Sequence, residues 1–136
     1  MKQAFLAIAL AAGLCGADSA SAHHSLSQFQ RDRTLTLTGT VKDFQWTNPH
    51  VWIEIVINGD DGMTVQWSIE GSAPAILARG GWRPSVLMPG DKISLGVHPR
   101  KDGIAGGYLA DEEALWVNGR EIIGPLQDIR DFDTLD

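Results

Sequence analysis

The stretch LTLTGTVKDFQW, residues 35–46, predicts the long first strand of a small β-barrel. Every second position from Leu35 to Val41 is apolar or glycine, and the positions between them are polar, as in a half-buried strand. Phe44 and Trp46 continue the apolar pattern on the opposite parity, which requires a shift of one residue near Lys42–Asp43. A β-bulge produces such a shift and bends the strand. We therefore expect a bent strand with a bulge at this point.

The same alternation predicts two further strands. Residues 47–50 (TNPH) end the first strand, because Asn-Pro favours a turn and proline cannot donate to a ladder. Val51 to Ile57 and Met63 to Ile69 each alternate, with their odd-numbered apolar residues facing inward. Residues 58–62 (NGDDG) tolerate positive φ and favour a hairpin loop. The first three strands therefore form a meander.

A short helix is predicted after the third strand. Ser72 is a suitable N-cap, Pro74 fits the first helical turn, and Gly80 is a suitable C-terminal stop. A fourth strand is predicted at Ile93 to Val97 and an irregular fifth at Tyr108 to Trp116.

A last strand is predicted at Glu121 to Ile123. Three strands, a helix and two strands is the order of an OB-fold. The predicted fold class is therefore all-β with one short helix, a small OB-fold-like antiparallel β-barrel. A generic small barrel or sandwich is the alternative.

The amino-terminal residues predict export. Lys2 supplies a positive charge, Ala4 to Gly16 is apolar, and Ala20 to Ala22 has the small-x-small pattern of a signal peptidase site. We expect cleavage after Ala22 and a periplasmic location. Lipidation at Cys15, the sole cysteine, is the alternative. No apolar run in the remaining chain is long enough for a membrane helix, which needs about 20 residues.

These signals divide the chain into four segments: a signal peptide at 1–22, an N-terminal arm at 23–34, an OB-like domain at 35–123 and an acidic tail at 124–136. The formal net charge is −6 and the sequence pI is near 5.0. The chain lacks the basic stripe that a phosphate backbone requires, so we expect no nucleic-acid partner.

The four histidines suggest a metal site. The meander and the helix crossing bring residues 46–50, 70–72 and 98–101 to one rim. An amino-terminal histidine offers an imidazole nitrogen and an α-amine that together chelate a metal ion, and such nitrogen ligands favour copper, zinc or nickel. We predict a copper or other transition-metal site, and its ligands are His23, His24, His50, His98 and Glu70. The alternatives are a solvated terminus, a His50 that only bonds the turn, and a His98 that is merely exposed.

A second prediction is an aromatic surface for a protein or glycan partner, with the histidines incidental. Its residues are Trp46, Trp52, Trp82, Arg100 and Lys101. We expect these three tryptophans to be partly exposed, whereas Trp67 and Trp116 are assigned to the core.

Catalytic motifs are lacking. The sequence has no GxSxG, HExxH, phosphate-binding loop or dinucleotide fingerprint, and its cysteine lies in the predicted signal peptide. Glu112 and Glu113 are adjacent on a predicted strand and cannot act as a pair. We therefore predict a binding protein rather than an enzyme. A copper oxidase with a histidine brace is the alternative.

Several motifs together resemble an uncharacterised family of exported bacterial proteins of unknown function. They are AHHS (22–25), LTGTVKDFQWTNPHVWI (37–53), WSIEG (67–71), GWRPSVLMPGD (81–91) and HPRKDGIAGG (98–107). The resemblance implies export and a small β-barrel, and it brings no established activity or ligand. The acidic end after Glu121 extends beyond the family pattern.

Overall fold

Seven β-strands, one short α-helix and a 3-10 turn form the regular structure of residues 26–124, which are the residues that this computed structural model describes. After the 3-10 turn at Leu26–Gln28, the elements are β1 (Leu35–Gln45), β2 (Trp52–Asn58), β3 (Thr64–Glu70), α1 (Pro74–Arg79), β4 (Lys92–Pro99), β5 (Gly106–Leu109), β6 (Leu115–Val117) and β7 (Arg120–Ile123). No helix within these described residues is long and apolar enough to span a bilayer.

Five of the strands close into a barrel. β1 pairs with β2 along one edge and with β4 along the other, and β5 lies between β3 and β4. The hydrogen-bonded order β1-β2-β3-β5-β4 therefore returns to β1. The β3–β5 pairing is parallel, so the barrel is mixed rather than wholly antiparallel. This closed order, with a helix between β3 and β4, confirms the predicted OB-fold-like barrel.

The predicted bulge in β1 is confirmed. Val41 pairs with Ile55 and Asp43 pairs with Glu54, so Lys42 is the extra residue on the β1 side. The first half of β1 pairs with β4 and the second half pairs with β2. The bulge bends the strand between these two partners, because an extra residue increases the local twist. One strand can therefore belong to both sides of the barrel.

The barrel interior is filled by aliphatic side chains from every barrel strand and from α1. Each such side chain contributes about 1.5–3 kcal/mol on full burial. The largest side chains that are fully buried are Val51, Ile53, Ile55, Ile69, Leu77, Leu87, Ile93, Leu95 and Val97.

Trp82 also belongs to this core. Its side chain is 3% exposed, and its ring centroid lies 6.3 Å from that of Phe44. The expected exposure of Trp82 is therefore wrong. The physical reason is local: the Trp82 amide donates to the carbonyl of Leu77, which turns the chain after α1 back onto the barrel.

The tip of the β2–β3 hairpin departs from the prediction. Met63 is 68% exposed and Val65 is 47% exposed, although both were expected to face inward. β5 pairs only with Ser68 to Glu70 of β3, so no strand of the described chain pairs with the first half of β3 on that side. The hairpin tip therefore projects beyond the barrel wall.

The C-terminal part of the structure is a second hairpin, β6–β7, which pairs with β4. The predicted last strand is confirmed as β7, whereas the predicted fifth strand is divided between β5 and β6. Asn118 and Gly119 form the turn with φ of 50° and 79°. Trp116 is 44% exposed, so its assignment to the core is wrong: it faces the outer side of β6, where no other segment of residues 26–124 covers it.

Candidate functional site

The chain before β1 crosses the outside of the barrel along the end of β4. The Gln30 amide donates to the Pro99 carbonyl (2.9 Å), and the Lys101 amide donates to the Gln28 carbonyl (2.9 Å). Phe29 between these bonds is 3% exposed, and its ring centroid is 5.6 Å from that of Tyr108. We call residues 26–34 the docked arm, because backbone bonds and a buried aromatic ring fix them to the barrel.

The docked arm covers His98. This side chain is 7% exposed, which excludes the alternative of a merely exposed His98. The Nδ1 atom lies 3.0 Å from the Arg33 carbonyl oxygen, which can only accept, so Nδ1 carries the hydrogen. The Nε2 atom lies 3.3 Å from Oε1 of Glu112. The Thr34 hydroxyl also donates to Glu112 Oε1 (3.1 Å). The ring of His98 therefore has a fixed orientation, with a hydrogen on Nδ1 and with Nε2 facing Glu112.

His98 and Glu112 open into a pocket of about 190 Å³ at the junction of the docked arm and the barrel. Its lining residues are Leu26, Arg31, His98, Tyr108, Asp111 and Glu112. We call this cavity the arm pocket. It combines an imidazole, two carboxylates and a guanidinium, which are groups that bind ions and small polar ligands rather than an apolar molecule.

Tyr108 forms one wall of the arm pocket. Its hydroxyl lies 3.0 Å from the Ser72 hydroxyl. Burial raises the pKa of the Tyr108 phenol above its usual value of 10.0, and the hydrogen bond with Ser72 opposes that increase. Tyr108 is thus neutral at physiological pH and can act there as a hydrogen-bonding group.

His50 forms a separate cluster. Its Nδ1 atom lies 3.0 Å from the Gly71 carbonyl oxygen and 3.4 Å from Oε1 of Glu70. Glu70 is 5% exposed, whereas about a third of the His50 side chain is exposed. His50 is therefore held by the residues that follow β3, and its Nε2 atom makes none of these contacts.

The strand register relates the two histidine clusters. Trp52 pairs with Glu70, Glu70 with Tyr108, and Tyr108 with His98, so these residues form one row across four strands. The predicted common rim is present. Because neighbouring strands are about 4.8 Å apart, the Cα atoms of Glu70 and His98 are separated by roughly 10 Å.

This separation divides the predicted ligand set. His50 and Glu70 contact each other, whereas His98 contacts Glu112 instead. Among residues 26–124, no three side chains of His, Cys, Asp or Glu come close enough together to hold a metal ion by themselves. The predicted ligands His23 and His24 lie outside the described residues.

Sequence reasoning missed Glu112, Arg31 and the cover that the docked arm provides. The acidic run Asp111 to Glu113 lies just after β5, and β5 pairs with β4, which contains His98. This proximity could have indicated a carboxylate next to His98. The adjacency of Glu112 and Glu113 in the sequence excludes a carboxylate pair on one face but does not indicate a contact with His98. The docked arm gave no periodic pattern from which its position could be inferred.

The predicted partner surface is only partly assembled. Trp52 is 36% exposed, whereas Trp46 is half-buried and packs edge-on against Phe44 at 5.8 Å. Arg100 pairs with Asp102 through its Nε atom (3.0 Å), and this contact lowers the pKa of Asp102 to about 2. Lys101 is exposed. Trp82 is buried and cannot contribute.

The closed strand order and the short helix between β3 and β4 define the class of the protein as a small OB-fold-like barrel. The chain belongs to a family of unknown function, DUF6152, whose model matches residues 12–110. This membership confirms the resemblance to an uncharacterised family.

A solved structure of the mitochondrial single-stranded DNA-binding protein of S. cerevisiae is similar in fold, with a TM-score of 0.46 and 9% identity. The similarity covers 63% of this chain and 93% of that chain. No curated protein matches the sequence.

Proposed function

We propose that the protein is an exported, periplasmic binding protein that holds one transition-metal ion, copper(II), in the arm pocket. The ligands in this proposal are His98, Glu112 and the amino-terminal His23 and His24. The observation that carries the proposal is the position of His98 Nε2, which faces the Glu112 carboxylate at 3.3 Å inside a half-enclosed pocket.

The hydrogen-bond pattern of His98 supports a cation at this position. Because Nδ1 donates to the Arg33 carbonyl, a neutral ring directs the lone pair of Nε2 toward Glu112. Two acceptors this close require a proton or a metal ion between them. Histidines that bind metals commonly donate their other ring hydrogen to a backbone carbonyl, as His98 does.

The distance between the two atoms also suits a shared metal ion. Imidazole nitrogen and carboxylate oxygen bind zinc-sized ions at about 2.0–2.2 Å, so two such ligands at 90–110° lie roughly 2.8–3.6 Å apart. The observed 3.3 Å falls within this range. Two protein ligands are too few for a tightly held ion, so further ligands must come from another part of the chain.

The amino-terminal histidines are the proposed source of those ligands. Leu26 lines the arm pocket, and consecutive Cα atoms are about 3.8 Å apart. His24 and His23 precede Leu26 by only two and three residues, so the covalent chain allows either to reach the arm pocket. Cleavage after Ala22 would give His23 a free α-amine, and amine and imidazole nitrogens together favour copper(II) over harder ions.

A calorimetric titration of copper(II) into the mature chain tests the proposal. Protein that begins at His23 should bind one ion, and His98→Ala or one added residue before His23 should each weaken binding at least about tenfold, as lost ligands do. His50→Ala is the matched control and should bind normally, because His50 contacts Glu70 rather than the arm pocket.

Equal copper(II) affinity of the mature chain, His98→Ala, the extended chain and His50→Ala would refute the metal proposal. Weaker copper(II) binding by His50→Ala would instead favour the ligand set predicted from the sequence, in which all four histidines bind the metal. The alternative is that a protonated His98 balances the charge of Glu112 without a metal ion. In that case, no imidazole nitrogen signal in the electron paramagnetic resonance spectrum of the copper-loaded protein will disappear in the His98→Ala variant.

A second candidate function is that of an accessory module that binds a protein or glycan through Trp52. This candidate is supported by the 36% exposure of Trp52 at the start of β2. Trp52→Ala should abolish capture of a periplasmic partner while leaving copper binding unchanged. Unchanged capture by this variant would exclude Trp52 as the contact.

A further inference from the structure

A second concavity lies on the outer face of the sheet, over β1, β4 and β6. Its volume is about 360 Å³, and its lining residues are Thr38, Lys92, Ile93, Ser94, Trp116 and Gly119. Ligand pockets in proteins begin at about 300 Å³, so this volume is sufficient for a small molecule or one unit of a polymer. The cavity shares no residue with the arm pocket.

Trp116 is the largest side chain in this cavity, and it is flanked by hydroxyl groups. Thr38 pairs with Ser94, and Ser94 pairs with Trp116, so the three side chains lie side by side on the outer face of β1, β4 and β6. The Thr38 hydroxyl donates to the Ser94 hydroxyl at 3.2 Å. The neighbouring turn contributes Gly119, which has no side chain to cover the indole.

The charges in the cavity favour a neutral ligand. Lys92 is the only ionisable residue among the six that line it, and its ammonium group already donates to the Thr40 hydroxyl (2.6 Å). An anionic ligand could therefore pair only with Lys92, whose ammonium group is already hydrogen-bonded. A cationic ligand would have no carboxylate among the six lining residues to pair with. An exposed indole beside hydroxyl groups matches a ring that has an apolar face and polar edges.

We propose that this cavity binds a neutral pyranose unit of an oligosaccharide. The C–H face of the sugar ring stacks on the Trp116 indole, and its hydroxyls bond to Ser94 and Thr38. The site would make the protein a carbohydrate-binding protein independently of the proposed metal site. A ligand that bridges both sites is not required.

Nuclear magnetic resonance can test this assignment directly, because each of the five tryptophans has one indole N–H signal. The mature protein is titrated with cellotetraose, maltotetraose and tetra-N-acetylchitotetraose in separate experiments, and the Trp116 signal is assigned with Trp116→Phe. At least one sugar should move the Trp116 signal saturably and leave the Trp52 signal unchanged. No saturable shift with any of the three, or a shift confined to Trp52, would overturn the proposal.

Substitutions give a second readout. Trp116→Ala should weaken sugar binding at least about fivefold, since loss of aromatic stacking and apolar contact is of that order. Ser94→Ala should weaken it less, and the exposed Trp52→Ala is the matched control with unchanged affinity. If Trp116→Ala fails to fold, Ser94→Ala and Thr38→Val together still decide the outcome, because full affinity in that double variant contradicts the assignment.

Discussion

The Nε2 atom of His98 lies 3.3 Å from Oε1 of Glu112, across the junction between β4 and the loop that follows β5. The two residues are brought together by the β4–β5 pairing, in which His98 is opposite Tyr108. The docked arm then covers the pair and fixes the imidazole through Arg33. The contact therefore depends on three separate parts of the chain.

We expect the carboxylate of Glu112, and not that of neighbouring Glu113, to be required for metal binding. Glu112→Gln should weaken copper(II) binding by the mature protein at least about tenfold, because the amide is a poorer ligand and cannot balance the charge. Glu113→Gln removes the same charge one residue away and should leave the affinity within about twofold. Equal weakening by both variants would indicate a general electrostatic effect, which salt would screen.

Phe29 should anchor the docked arm. Phe29→Ala is expected to lower the free energy of unfolding by about 3–5 kcal/mol, the usual cost of removing a buried phenyl ring. Hydrogen exchange should show that the Gln30 and Lys101 amides lose protection together, since their bonds join the arm to β4. Ile104→Ala, at a site 62% exposed, is the control and should change stability by less than about 0.5 kcal/mol. Unchanged protection in Phe29→Ala would contradict the anchoring role.

Tyr108 should titrate above its ordinary range. Because it is the single tyrosine, the absorbance change near 295 nm reports this phenol alone. Burial raises the pKa of Tyr108 above 10.0, and Ser72→Ala should raise it further, since the Ser72 bond lowers it.

The raised pKa of Tyr108 also determines how this residue makes the free energy of unfolding depend on pH. The folded chain holds the phenolic proton more tightly than the unfolded chain, so this contribution is complete below the unfolded pKa and is lost as pH rises through the folded pKa. Full unfolding in urea should return the midpoint to about 10. A folded midpoint below 10.0 would contradict the assigned burial effect.

Gly39 should tolerate no side chain. A Cβ atom at this position would lie 2.8 Å from the Val56 carbonyl oxygen, which is backbone and cannot move freely. Gly39→Ala should therefore lower the free energy of unfolding by about 1–3 kcal/mol, measured by urea denaturation. Thr36→Ala, at an exposed site on the same strand, should cost less than about 1 kcal/mol. An unchanged free energy of unfolding in Gly39→Ala would show that β1 and β2 can move apart at this point without destabilising the protein.

Local patterns were sufficient to predict the barrel, because strand alternation, the bulge and the helix signals are each contained within a few residues. The change of parity after Lys42 predicted the bulge, and Pro74 and Gly80 bounded the helix correctly to within a residue or two. The common rim followed from the strand order alone.

Features that depend on long-range packing could not be predicted in the same way. The exposure of Trp116 and the burial of Trp82 depend on which faces other segments cover, and alternation within a strand does not report this. Likewise, the contact between His98 and Glu112 depends on the docked arm, whose residues have no periodic pattern. The strand order therefore placed His50, Glu70 and His98 at one rim, but it did not reveal that His98 contacts Glu112.

The parallel pairing of β3 with β5 has a consequence for the order of folding. β5 contains four residues and is the one strand that joins β3 to β4, so the cylinder cannot be sealed before residue 109 is available. The meander and β4 can assemble only an open sheet until then. Because pairings between residues far apart in the sequence slow folding, we expect this closure to be a slow step in folding.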